Sequence, residues 1–173
     1  MNRLAFILLL LFNIQLHAQR FMGNNGEISF FSEAPMEDIA AVNKKVSAVF
    51  DAGTKDLVFR LKITDFVFPK ALMQEHFNEN YLESDVYPTS TFVGKVLANK
   101  DGGTTVKGDL KIHGKTNQII VEGSLIRKKD LVNIYADFAI NLEDYNISIP
   151  KIVMYKIAEK IDIKVNIELK EIK

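Results

Sequence analysis

The chain has 173 residues, of which 47% are hydrophobic and 25% are charged, a composition typical of a folded globular domain. Its 22 Lys and Arg residues balance its 22 Asp and Glu residues, so no positive charge excess favours nucleic acid, and we expect no nucleic-acid partner. The chain has no cysteine, which excludes disulfides, thiolate metal sites and cysteine nucleophiles. We therefore expect one domain, and nothing in the sequence indicates a cofactor.

The first 18 residues have the pattern of an export signal. Arg3 supplies a positive charge, residues 4–14 form an apolar run of about eleven positions, and Ala18 precedes the predicted cleavage point. The run is shorter than the roughly 20 apolar residues that span a bilayer, so it predicts a cleavable signal peptide over residues 1–18. No later segment reaches that length. The sequence thus predicts a periplasmic or secreted domain over residues 19–173, with no integral membrane span and no cysteine for a lipid anchor.

Beyond the signal, apolar and polar residues alternate with a period of two. Leu57, Phe59 and Leu61 alternate with Val58 and Arg60, which is the pattern of a strand with one buried face. The same alternation predicts about eight strands, at residues 27–32, 44–51, 56–65, 89–97, 104–112, 117–127, 131–142 and 157–170. Short polar turns join several of them, which indicates antiparallel pairing because a parallel crossover needs a longer connection.

Two stretches interrupt this alternation, at residues 35–42 and 69–82. In the second, Met73, Phe77 and Tyr81 are spaced four residues apart, which predicts a helix with one apolar stripe. Long strands favour a closed barrel over a sandwich. The predicted fold is therefore all-β: an eight-stranded antiparallel, lipocalin-like β-barrel with one short helical insertion.

The strand phases assign a set of apolar side chains to the interior of the barrel. These are Ile28, Phe30, Phe50, Phe59, Leu61, Phe92, Leu110, Ile112, Phe138, Ile140, Ile163 and Val165. None of them is charged, so a ligand among them would be apolar. Burial of about fifteen methylenes at about 0.8 kcal/mol each would give moderate affinity after the cost of association. Periodicity alone leaves two alternatives open: a hollow barrel that holds a ligand, and a barrel filled by its own side chains that acts as an interaction module.

Two histidines raise a catalytic alternative. His76 and Glu79 on the predicted helix, together with His113, could form the site of a lipid-modifying or metal-assisted hydrolase. His76 is not part of an H-E-x-x-H motif, which favours a simpler interpretation in which these side chains brace the helix against the barrel mouth. We therefore predict a binding protein with no catalytic residue and no metal site.

Several motifs of the chain resemble the YceI-like family. Residues 72–84 and 87–94 resemble the signature of the family, residues 108–116 resemble its L-x-I-H-G-x-T element, and residues 144–150 resemble its C-terminal turn. The similarity extends over nearly the whole of residues 19–173 in the same order. It implies an exported barrel whose elongated interior accepts a polyisoprenoid, quinone or fatty-acyl chain.

The leading hypothesis is an exported protein that carries or sequesters a long-chain apolar lipid, such as an isoprenoid or a fatty acid. A homodimer is compatible with the sequence. The predicted ligand-binding residues combine interior positions of the strands with mouth positions of the helix: Phe30, Phe50, Phe59, Leu61, Met73, His76, Phe77, Phe92, Ile112, Phe138 and Ile140.

Overall fold

Eight antiparallel strands form the fold. The structure is a computed structural model that describes residues 19–33, 38–100, 102–148 and 160–172. The strands are β1 (Arg20–Ser32), β2 (Ile39–Asp51), β3 (Asp56–Lys62), β4 (Thr89–Lys100), β5 (Gly103–Ile112), β6 (Lys115–Lys128), β7 (Leu131–Asn141) and β8 (Lys160–Ile172). Each strand pairs with the next, and β8 pairs with β1, so the sheet closes into a barrel. The predicted fold class is confirmed, whereas the predicted signal peptide, residues 1–18, lies outside the described residues.

A helical insertion, residues 63–88, connects β3 to β4. It begins with a 3-10 turn at Ile63–Asp65, continues as α1 (Ala71–His76) and ends in a π-helical turn at Phe77–Tyr81. A second 3-10 turn, Glu143–Tyr145, follows β7. Both lie at the same end of the barrel, which we call the helix end. The opposite end carries the β2–β3, β4–β5 and β6–β7 turns, and we call it the hairpin end.

Several strand boundaries differ from the prediction by a few residues, and three of these differences affect the description of the site. β1 begins at Arg20 rather than at residue 27, because Gly23 and Gly26 interrupt the alternation and the pairing with β2 shifts register there. β2 begins at Ile39, within the stretch that we expected to be irregular, because four consecutive apolar residues hide the period of two. β3 ends at Lys62 rather than at residue 65, where the 3-10 turn begins. The predicted start of β8 at residue 157 lies outside the described residues.

Two clusters of buried side chains occupy the two ends of the barrel. At the hairpin end, Phe21, Val132 and Leu169 have no exposed surface and pack in one cluster with Phe50. At the helix end, side chains of the insertion, including Phe66, join the inward residues of the strands. Full burial of each such side chain contributes roughly 1.5–3 kcal/mol. Because its members are shielded from solvent, the hairpin-end cluster forms the floor of the barrel.

A buried amide holds β2 and β3 together where their pairing stops. The two strands pair only over residues 47–50 and 57–60 and diverge toward the helix end. Asn43 has no exposed surface, and its side-chain amide donates to the carbonyl of Lys62 at 2.9 Å. Its side-chain oxygen accepts a hydrogen bond from the backbone N–H of Lys45, also at 2.9 Å. Both polar ends of this amide are satisfied, as its burial requires.

Candidate functional site: an apolar cavity in the barrel

A cavity of about 430 Å³ extends through the barrel from the hairpin-end core to α1. This volume falls within the range of roughly 300–1,000 Å³ that small-molecule sites occupy. Deep side chains, including Leu57, Val106 and Leu125, line its lower part. Phe59 and Phe92 face the interior and are nevertheless only partly buried, because the cavity leaves part of each ring uncovered. The described barrel is therefore hollow, and the alternative of a barrel filled by its own side chains is wrong.

The lining is almost entirely apolar. Among the described residues, Arg60 and His76 are its only basic members, and it includes no carboxylate. Arg60 lies on the outward phase of β3 and is exposed, so its charge faces solvent rather than the interior. His76 is the exposed last residue of α1 and marks the place where the lining reaches the surface at the helix end. A charged ligand group would find no opposite charge deep in the barrel.

Two hydroxyl groups of the lining already have protein partners. The Ser90 hydroxyl donates to the carbonyl of Lys111 at 2.9 Å. The Thr104 hydroxyl donates to the side-chain oxygen of Asn99 at 3.1 Å and accepts a hydrogen bond from the backbone N–H of Leu125 at 3.0 Å. These contacts fasten neighbouring strands to each other. They leave the two hydroxyls poorly placed to select a polar ligand group.

Two tyrosines near the helix end remain neutral at neutral pH. Burial raises the pKa of Tyr81, which lines the cavity. Burial is also the main cause of the raised pKa of Tyr145, and the nearby Asp144 charge raises it further. A raised phenol pKa keeps the proton on the ring oxygen. Neither tyrosine therefore adds charge to this part of the barrel.

Four phenylalanines attach the helical insertion to the barrel. Phe77 stacks on Phe30 of β1 with ring centroids 5.5 Å apart and lies 4.9 Å from Phe68. Phe66 completes the group, with ring centroids 5.4 Å from Phe30 and 5.6 Å from Phe77. Such aromatic pairs contribute about 0.5–1.5 kcal/mol beyond their area burial. All four rings line the cavity, so the contacts that hold the insertion also shape the upper part of the site.

A pair of glycines makes room for one ring of the lining. Gly94 of β4 and Gly108 of β5 lie directly opposite each other. A Cβ atom on Gly94 would lie 2.7 Å from the Phe92 ring, and one on Gly108 would lie 2.6 Å from that ring and 2.5 Å from the Gly94 backbone. The Phe92 ring therefore occupies the space that two larger residues would fill, which keeps it close to the wall.

Ten of the eleven predicted ligand-binding residues line the cavity: Phe30, Phe59, Leu61, Met73, His76, Phe77, Phe92, Ile112, Phe138 and Ile140. Phe50 does not, and this placement in the site is wrong. It is buried in the hairpin-end cluster, with its ring centroid 6.3 Å from that of Phe21. The alternation of β2 correctly predicts that Phe50 points inward. It does not indicate how far along the barrel axis a residue lies, so it cannot distinguish the hairpin-end cluster from the cavity wall. Contact of the other ten with a ligand stays a prediction.

The prediction missed other lining residues. Leu57, Leu125 and Ile134 lie on the inward phase of their strands, so the same alternation could have identified them. Phe66 and Phe68 are different, because they follow the point where β3 ends. Their inward positions depend on how the insertion folds back over the barrel, and no local periodicity indicates that.

His113 does not join His76 and Glu79. Its Nε2 lies 2.7 Å from the Oε2 atom of Glu83, and its Nδ1 lies 3.2 Å from the carbonyl oxygen of Tyr145. In the parts of the chain that the structure describes, no three His, Asp or Glu side chains lie close enough together to hold a metal ion. The hypothesis of a metal cluster from His76, Glu79 and His113 is therefore wrong. The contacts of His113 with Glu83 and Tyr145 instead hold the insertion against the barrel.

Fold and site together define a closed antiparallel β-barrel with an apolar internal cavity. A sequence profile described as the YceI-like domain matches residues 16–169, and the chain belongs to the YceI-like family, which confirms the resemblance. No curated protein sequence matches the chain. Within the described ranges, none of the helices combines the length and the apolar character needed to cross a bilayer.

Solved structures share this fold at low sequence identity. A polyisoprenoid binding domain from Saccharophagus degradans, implicated in plant cell wall breakdown, superposes with a TM-score of 0.75 at 10% identity over 90% of this chain and 99% of that one. BcnA of Burkholderia cenocepacia gives a TM-score of 0.74 at 16% identity over 83% and 95% of the two chains. The YceI protein of Campylobacter jejuni gives 0.63 at 20% identity over 76% and 83%. At these identities the similarity establishes the fold.

Proposed function

We propose that the protein binds a long apolar chain inside the barrel and carries or sequesters it. The observation that supports this most strongly is the cavity of about 430 Å³ with its apolar lining. Membership of the YceI-like family and the fold shared with a polyisoprenoid binding domain favour a polyisoprenoid, quinone or fatty-acyl ligand. The reaction expected of such a site is reversible binding rather than catalysis.

The polarity of the cavity determines how the ligand lies in it. Deep in the barrel, the Thr104 hydroxyl is already bonded to Asn99 and Leu125, so a polar ligand group there would lose its hydrogen bonds to water without gaining that partner. A buried polar group without a partner costs about 1–3 kcal/mol. The tail therefore lies in the deep part, and the polar end stays at the helix end near His76. Selectivity among tails of similar length is weak, because each extra methylene adds only about 0.8 kcal/mol.

A binding titration tests the proposal. All-trans-retinol is an uncharged isoprenoid alcohol with its own fluorescence, and we expect it to bind with 1:1 stoichiometry and micromolar or tighter Kd. A fatty acid and a short-chain quinone added as competitors should displace it from the same site. A short polar alcohol added at equal concentration serves as the matched control and should leave the retinol signal unchanged. Failure of every apolar probe to bind would contradict the proposal.

We further propose that the chain is exported and that its mature form begins at Gln19. The support is the pattern of residues 1–18 described above. Intact-mass measurement of the protein from its own cells should give the mass of residues 19–173, whereas the mass of the full chain would contradict export by cleavage. A homodimer stays a prediction, and sedimentation of the same material gives the subunit number.

A further inference from the structure

One histidine joins three separate segments of the chain at the helix end. His113 lies in the two-residue turn between β5 and β6, where both His113 (φ 49°) and Gly114 (φ 72°) are left-handed. Its ring contacts Glu83 at the end of the insertion and the carbonyl of Tyr145 in the 3-10 turn after β7. Tyr87 packs edge-on against the same ring, with centroids 4.6 Å apart. The histidine side chain is only 11% exposed.

Both polar contacts of this ring are with acceptors. A backbone carbonyl cannot donate a hydrogen bond, and an ionised carboxylate cannot either. A neutral imidazole has a single N–H donor, so it can satisfy Tyr145 or Glu83 but not both. A doubly protonated imidazole donates from both nitrogens and adds a charge-assisted bond to Glu83. The geometry around His113 is therefore complete only in the protonated form.

The three joined segments each place a neighbouring side chain in the cavity wall. Leu82 precedes Glu83, Ile112 precedes His113 and Ile147 lies two residues after Tyr145. All three of these apolar side chains line the cavity and belong to the helix-end cluster. The contacts of His113 thus fix one corner of the wall that a ligand would touch.

We propose that His113 is a proton-dependent clamp on the cavity wall, which fastens the end of the helical insertion at acidic pH and releases it as the pH rises. Histidine is the side chain that ordinarily changes charge between pH 5 and 8. Above this range the ring loses one donor, so either the Glu83 carboxylate or the Tyr145 carbonyl then faces a nitrogen lone pair. The link to ligand release rests on the proposed lipid-binding function, whereas the clamp itself does not.

The other titratable groups around the ring do not take over this role. Glu83 and Tyr87 face it from the insertion, and Tyr145 faces it through its carbonyl, with Asp144 as the adjacent carboxylate. Burial raises the pKa of the Tyr145 phenol, so that group stays neutral in the range concerned. The side chain of Asp144 accepts a hydrogen bond from Asn141 at 3.2 Å. Gain or loss of a proton by the His113 ring is therefore the change that closes or opens the clamp.

Nuclear magnetic resonance of the protein without added ligand tests the clamp directly. We expect ¹⁵N shifts of the His113 ring to show protons on both nitrogens at pH 5 and on one at pH 8. The amides of Val86 and Tyr87, which donate to the Glu83 carbonyl at 2.8 Å, report opening of the insertion. We correct the exchange rates of these amides for intrinsic exchange and divide them by the rate of the Leu125 amide. The resulting ratio should be about threefold to tenfold larger at pH 8 than at pH 5; the effect is modest because the Glu83 side chain is half exposed and its bond to His113 is screened by solvent. Equal relative exchange at the two pH values would overturn the proposal.

Three variants separate the clamp from a general effect of pH. Glu83→Gln supplies an amide donor to a neutral ring, so exchange at Val86 should become independent of pH. His113→Asn keeps a residue that tolerates the left-handed turn but lacks the ring, so exchange should be fast at both pH values. Asp85→Asn removes another exposed carboxylate of the insertion, which does not line the cavity, and should leave the pH dependence unchanged. Loss of the dependence in Asp85→Asn, or its persistence in Glu83→Gln, would refute the assignment to His113.

The release rate of retinol connects the clamp to the cavity. Because retinol is uncharged, its own ionisation does not vary. We expect about threefold to tenfold faster dissociation at pH 8 than at pH 5 in the unmodified protein, and no such difference in Glu83→Gln or His113→Asn. If retinol does not bind while the amide exchange behaves as described, the proposed function fails and the clamp stands. If retinol binds and dissociates at the same rate at both pH values, the regulatory inference fails and the proposed function stands.

Discussion

Replacing Ala136 by phenylalanine should block the cavity without unfolding the barrel. Ala136 lies on β7, lines the cavity and pairs with Gly123 of β6, so its neighbour on that strand adds no side chain beside it. Enlarging a residue in a packed core costs about 1–3 kcal/mol, but here the new ring has open space to enter. Its burial also contributes a favourable term of similar size. We therefore expect Ala136→Phe to change the free energy of unfolding by less than about 1 kcal/mol.

The loss of affinity follows from the space that the ring occupies. A benzyl group excludes a stretch of about four ligand methylenes, each worth about 0.8 kcal/mol on burial. The binding free energy should therefore weaken by about 3 kcal/mol, which is more than a hundredfold in Kd. Ala139 on the same strand has the opposite phase, pointing outward between the lining residues Phe138 and Ile140. Ala139→Phe adds the same group outside the barrel and is the matched control.

Fluorescence titration with retinol and thermal unfolding of both variants provide the measurement. The account predicts that Ala139→Phe binds like the unmodified protein, that Ala136→Phe binds at least a hundredfold more weakly, and that both unfold near the temperature of the unmodified protein. Equal affinity of the two variants would show that the ligand does not occupy the cavity. Unfolding of Ala136→Phe would instead show that the interior lacks the space that the structure assigns to it.

Three further predictions concern stability. Phe77→Ala removes the central ring of the four-phenylalanine group and should lower the free energy of unfolding by about 2–4 kcal/mol in urea titrations. Leu72→Ala, at an exposed position of α1, is the control and should change the free energy of unfolding by less than about 0.5 kcal/mol. Asn43→Ala removes two hydrogen bonds, to the Lys62 carbonyl and from the Lys45 N–H, and should cost about 1–3 kcal/mol by the same assay. No change in stability would contradict the bridging role. The pKa of Asp51 is lowered mainly by the hydrogen bond that its carboxylate accepts from the Thr54 backbone. The stabilisation that this carboxylate provides is therefore present above pH 3.8, the ordinary pKa of the group, and is lost as the pH falls through the lower pKa of the folded state. Asp51→Asn should therefore lower the melting temperature at pH 7 but not at pH 2, and equal losses at both would refute this.

The period of two explains why so much of the barrel could be predicted. A strand in a closed barrel has one face toward the interior, so the alternation at residues 57–61 determines which side chains point inward. The pattern does not encode the position of a residue along the barrel axis. It therefore cannot distinguish Phe50, which lies in the hairpin-end cluster, from the residues that line the cavity. Consecutive apolar residues at the start of β2 erased the pattern locally, which hid the true start of the strand at Ile39.

Contacts between distant segments account for the rest. The chain after β3 turns back along β2, where Val67 exchanges two backbone hydrogen bonds with Val42, and this places Phe66 and Phe68 in the cavity wall. The partners of His113 lie 30 and 32 residues away in sequence. Local propensity carries no information on such pairings, because they depend on the closed barrel that brings the segments together.

The central claim, that this barrel holds an apolar chain, is tested most directly by native mass spectrometry of the protein purified from its own cells, followed by organic extraction. The account predicts a stoichiometric mass increment that disappears on extraction, with a lipid of isoprenoid, quinone or fatty-acyl type recovered in the organic phase. A protein mass without any increment, combined with no uptake of added retinol, would contradict it.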